Sequence, residues 1–144
     1  MSKQPTEEEA LNALFVEVRV LENTYNELSS RQNMLERALL ENRAALDTLN
    51  GLGDKPVDEV LTQIGGGAMI RSPAPSTDKV LLSVGASVVI EKPKAEAIAI
   101  LEGRSRDVEK SIVSIIGQRN EIAERLQSDR QVLNSMTARQ SQED

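Results

Sequence analysis

The sequence predicts an α+β chain: a long antiparallel two-helix coiled coil with two β-hairpins inserted between the helices. Three observations predict it. Residues 6–50 contain neither Gly nor Pro and place apolar residues at a heptad period. Residues 51–93 hold six of the eight Gly and four of the five Pro, among clusters of β-branched residues. Residues 94–144 then return to the heptad. The expected division is an N-terminal coiled-coil helix over 1–50, a double-hairpin assembly region over 51–93 and a C-terminal coiled-coil helix over 94–144.

In the first helix the a positions are Leu11, Val18, Tyr25, Gln32, Leu39 and Leu46, and the d positions are Leu14, Leu21, Leu28, Leu35, Asn42 and Leu49. Ten of these twelve are apolar, sustained long enough to specify a coiled coil. Thr6 followed by Glu9 has capping-box spacing, and Gly51 stands where a C′ glycine would stop the helix.

Between the helices, EVLTQIGGGAMIRS (59–72) and KVLLSVGASVVIEK (79–92) align at an offset of 20 residues. Each has an apolar strand, a Gly-containing turn and a second apolar strand, so a β-hairpin is signalled twice. Residues 72–78 read as an extended linker. Two hairpins make no core of their own, and the second is apolar on both pleat faces. With the helices occupied by each other, burial of this insert is expected to come from other subunits. The assembly residues expected on this ground are Val60, Leu61, Ile64, Ile70, Val80, Leu81, Leu82, Val84, Val88, Val89 and Ile90.

Pro93 suits the first position of the second helix. Its a series is Ile98, Ser105, Ile112, Arg119, Leu126 and Leu133, and its d series is Leu101, Val108, Ile115, Ile122, Asp129 and Met136; nine of the twelve are apolar. Folding the two helices back on each other pairs Leu46 with Leu101 and Leu35 with Ile112, and sets Asn42 against Ser105 as a polar layer. Arg119 then faces Leu28 and Asp129 faces Val18, with both charged groups expected to reach out to water.

Composition limits the chemistry. The 144 residues include one Phe, one Tyr and no Trp, too few aromatics for a conventional globular core. Without Cys or His there is no thiolate, no histidine base and no usual zinc set, and no nucleophile is paired with a base. No catalytic residue, metal or cofactor is expected. The net charge of −6 argues against nucleic-acid or anionic-membrane binding, and the apolar runs fall far short of the ~20 residues that cross a bilayer. Residues 1–5 lead into no apolar stretch, so no secretory signal is expected and a cytoplasmic location follows.

Both chain ends meet at one end of the expected coil, and apolar residues there leave the seam. Phe15 is an e position, Val16 an f position, Val20 a c position and Val132 a g position, beside the seam residues Leu11, Leu14, Val18, Leu133 and Met136. Exposed apolar surface marks interaction sites. The plainer reading is of ordinary end residues, with Phe15 folded over the end of the seam.

A coiled coil interrupted by two hairpins, the second reading VLLSVGASVVIEK and running into a helix, resembles the α-type subunits of the prefoldin family over nearly the whole chain. The resemblance implies an ATP-independent chaperone, assembled as a hexamer with β-type subunits, two α-type to four β-type. It implies that the hairpins contribute to an oligomeric β-barrel platform. It also implies that the coil tips hold non-native polypeptides and pass them to a group II chaperonin. The reading from the other class is a structural coiled-coil scaffold that oligomerises through its β insert and holds no client.

Overall fold

The computed structural model describes residues 3–74 and 77–143. The chain runs α1 (Glu7–Gly51), β1 (Val57–Gly65), β2 (Ala68–Ala74), β3 (Lys79–Gly85), β4 (Val88–Pro93) and α2 (Lys94–Glu143). All twenty-four expected seam residues of α1 and α2 are buried or half-buried. Among the described residues, no helix is long and apolar enough to cross a membrane.

The start of α1 is the capping box expected of Thr6 and Glu9. The Thr6 amide donates to Glu9 Oε2 at 2.9 Å and the Glu9 amide donates to Thr6 Oγ1 at 3.2 Å. The end differs from expectation, because Gly51 is the last helical residue and not a left-handed stop. The Leu52 amide still bonds the Thr48 carbonyl, and the Leu52 carbonyl accepts from Lys94 Nζ at 2.8 Å. A cation at the negative end of the helix dipole does the work expected of glycine.

Each hairpin pairs only with itself. β1 and β2 form one two-stranded antiparallel sheet, β3 and β4 another, and neither closes. The expected β-barrel is thereby overturned, since a barrel requires every strand edge to be paired. The duplication extends to the backbone: both hairpins carry a bulge at the same place, between Gln63 and Gly65 and between Ser83 and Gly85. Both turn through three consecutive residues of positive φ, Gly65, Gly66 and Gly67 in the first, Gly85, Ala86 and Ser87 in the second. β2 continues through Pro73 to Ala74, into the segment expected as linker. Proline is tolerated there because a second irregularity, between Val57 and Val60, lies opposite it. The middle of that linker, Pro75 and Ser76, lies outside the described residues. Pro93 likewise ends β4, opposite Lys79, instead of opening α2.

The chain forms two compact units. One contains the residues up to Glu36 and from Lys110 onward. Its core is Val18, Leu126 and Leu133, with Leu11, Leu14, Leu21, Tyr25 and Ile122 packed against them. Ion pairs flank this seam, Glu22 with Arg130 at 2.6 Å and Glu17 with Arg125. The first joins e to e and the second g to g, the pattern of an antiparallel pair.

The other unit spans Arg37–Glu109. Leu82, Ala97 and Leu101 form its core, with Ala45, Leu46, Leu49, Val80, Ile90 and Ile100 around them. This corrects the expectation that the helices cannot cover the insert. The face of the second hairpin bearing Val80, Leu82 and Ile90 packs on its own chain's helices, because Ala97 leaves room there for Leu82. Arg104 donates to the Ser83 carbonyl at 3.0 Å and holds β3 in place. Arg43 and Glu109 pair at 2.8 Å, again e to e. Ser105 is buried and donates to the Leu101 carbonyl, so its own helix satisfies it.

Candidate functional site

The residues expected to meet a client fall into two groups in the first unit. Leu11, Leu14, Val18 and Leu133 belong to the seam, with Val18 and Leu133 buried. Phe15, Val16 and Val132 stand outside it, 53%, 62% and 48% exposed, and Met136 is half-buried. Phe15 is therefore not folded over the end of the seam. It lies on one flank, in an open groove with Asn12, Arg19, Glu22 and Leu133. Val132 and Met136 line a groove on the other flank with Ser128, Ser135 and Arg139. Val20 is exposed as well.

A second groove on the Phe15 flank is lined by Glu22, Tyr25, Asn26, Ala123, Leu126 and Arg130. The sequence held a signal for it: Ala123 is an e residue without reach where Arg130, one heptad on, spans to α1.

Arg119 departs from the expected path to water. Its Nη1 donates to Gln32 Oε1 at 2.6 Å, its Nη2 donates to the Tyr25 hydroxyl at 2.9 Å, and its guanidinium lies 4.7 Å from the Tyr25 ring centroid. Gln32 in turn donates to Glu36. Tyr25 and Gln32 flank Leu28 along α1, so Arg119 does sit at the Leu28 layer but bonds to its neighbours. Asp129 is also drawn in, with Oδ2 buried.

The hairpin residues divide similarly. Leu82 is buried and Val80 and Ile90 half-buried in the core of their own unit, and Val60 is half-buried. Leu61, Ile64 and Ile70 of the first hairpin are exposed, as are Leu81, Val84, Val88 and Val89 of the second. Met69, outside the expected set, is exposed as well. No cluster of three or more His, Cys, Asp or Glu suited to a metal occurs among the described residues.

The sequence matches the family described as prefoldin subunit over residues 21–141. Prefoldin subunit alpha of Nitrosopumilus maritimus (strain SCM1) is 28% identical over 129 residues, covering 90% of this chain and 89% of that protein. Prefoldin subunit alpha of Methanoculleus marisnigri is 36% identical over 110 residues, covering 71% of this chain and 74% of that one. The chain belongs to the prefoldin family, as an α-type subunit. In fold, this prefoldin subunit is similar to the crystal structure of the prefoldin beta subunit from Thermococcus strain KS-1. The TM-score is 0.61 at 16% identity, over 94% of this chain and 96% of that one. Its family is one of non-catalytic chaperones.

Proposed function

We propose that this prefoldin subunit holds non-native polypeptides at the apolar side chains near the two chain ends, without hydrolysing ATP. Its membership of the family makes it an unfolded-protein-binding co-chaperone that works with β subunits and delivers substrates to chaperonins. The proposal assigns the holding to Phe15, Val16 and Val132, with Leu11, Leu14, Val18, Leu133 and Met136 beneath them. The observation that carries it is the exposure of Phe15 and Val16, apolar side chains that stand outside the seam near the start of α1.

Assembly is proposed to use the hairpin residues that their own chain leaves uncovered: Leu61, Ile64, Ile70, Leu81, Val84, Val88 and Val89. Val60, Val80, Leu82 and Ile90 support them from beneath. In this reading the helices over 1–50 and 94–144 serve clients and the insert over 51–93 serves assembly. The complex would combine two α-type with four β-type subunits in the cytoplasm and serve a group II chaperonin.

The test is the double substitution Phe15→Ser with Val16→Ser, introduced into the assembled complex. Assembly is expected to remain intact and client capture to weaken. Unchanged capture would remove these residues from the site.

A further inference from the structure

Among the described residues, none of the first hairpin contributes to the core of its unit. The offset of 20 between the two hairpins shows why. Where the second hairpin sets Leu82 against Ala97 and Leu101, the first has Thr62, which is exposed and lies 3.4 Å from the Ser72 hydroxyl across the ladder. The ladder is also interrupted at its root. An irregularity separates the pair Val57 and Ala74 from the pair Val60 and Ser72, and Pro73 has no amide to donate there. Side-chain packing and strand pairing therefore do little to fix how this hairpin leaves the helices.

Polar bonds cross that root instead. Thr77 is buried, and its hydroxyl donates to the Gly53 carbonyl at 2.7 Å, joining the two ends of the hairpin. Lys94, the first residue of α2, ties both ends to the helices. Its amide donates to the Asp78 carbonyl at 2.8 Å, and its Nζ donates to the Leu52 carbonyl at 2.8 Å. An amide in the first helical turn has no partner within its helix, so the bond to Asp78 takes nothing from α2. The Lys94 side chain is 18% exposed, which shields its bond at the end of α1 from solvent screening. Asp54, 3.6 Å from Nζ but fully exposed, adds little. We propose that Thr77 and Lys94 are positioning residues, a polar clasp that sets the direction in which the first hairpin leaves the helix pair and so presents Leu61, Ile64 and Ile70 to the β-type partner. The inference rests on the assembly reading above and adds to it what aims the hairpin.

The sequence has no Cys, so spin labels at Gln63→Cys and Glu91→Cys, both exposed positions, report the separation of the two hairpins in the full chain. Thr77→Val with Lys94→Met keeps the bulk of both side chains and removes the hydroxyl and the ammonium. The distance distribution should broaden about twofold with the helical signal unchanged, and the β-type partner should bind about tenfold more weakly. Thr77→Ser, which keeps the hydroxyl, should keep both parent values. A distribution as narrow as the parent's overturns the clasp. A broadened distribution with unchanged binding overturns its part in assembly. If the double variant loses helical signal, the single variant Thr77→Val decides: broadening with intact helices supports the clasp, and no broadening overturns it. Leu61→Lys with Ile70→Lys, run in parallel, separates the two ideas. If it weakens binding while the clasp variant does not, only the clasp's part in assembly falls. If neither weakens binding, the assembly reading itself falls.

Discussion

Ala86 and Ser87 turn the second hairpin at φ values of 50° and 61°, where the equivalent residues of the first are Gly66 and Gly67. This left-handed region disfavours residues with a Cβ, so the second turn carries strain that the first does not. Replacing Ala86→Asn with Ser87→Gly should stabilise the second hairpin by about 1–2 kcal/mol, read as slower exchange of the β3 and β4 amides. The reverse change, Gly66→Ala, has open space around it but a φ of 58°, and should weaken the first hairpin. Arg119→Ala removes two charge-assisted hydrogen bonds from the seam and should lower stability by about 2 kcal/mol in urea unfolding. Single residues were legible in the sequence where their partners are local. Thr6 and Glu9 cap α1 as their spacing requires, because three residues separate donor from acceptor. The bond from Arg119 to Tyr25 joins residues 94 apart and depends on how two helices lie together.

Elements were legible where one period decides them. A heptad states which residues of a helix turn inward, and in both helices the seam is where the pattern puts it. Alternation along a strand separates two faces without saying which one finds cover. Leu81 and Leu82 are both apolar neighbours in β3, yet Leu81 is 70% exposed and Leu82 is 6% exposed against Ala97 and Leu101. Leu82→Ala should therefore cost about 2–4 kcal/mol in chain stability. Leu81→Ala should change it by less than about 0.5 kcal/mol. Leu81→Lys is expected to leave the chain folded while reducing recovery of the β-type partner on co-purification. Equal loss of helical signal in the Leu81 and Leu82 variants would contradict the division between covered and uncovered faces.

At the scale of the whole chain, order and connectivity were legible because composition changes sharply near residues 51 and 93. The barrel was not, since it was carried from the family to a chain in which each hairpin pairs only with itself. For the residues proposed to hold clients, exposure was legible in part. Off-seam positions marked Phe15, Val16 and Val132, while the heptad gave no means of dividing Val18 or Leu133 between core and surface duty. The measurement that tests the account most directly is light scattering from a diluted, denatured client without ATP. The added protein is the complex that co-purifies with a tagged copy of this chain. Near-stoichiometric complex should suppress the scattering, and the Phe15→Ser, Val16→Ser complex should suppress it less. An intact complex that leaves scattering unchanged would contradict the account and favour a scaffold without clients.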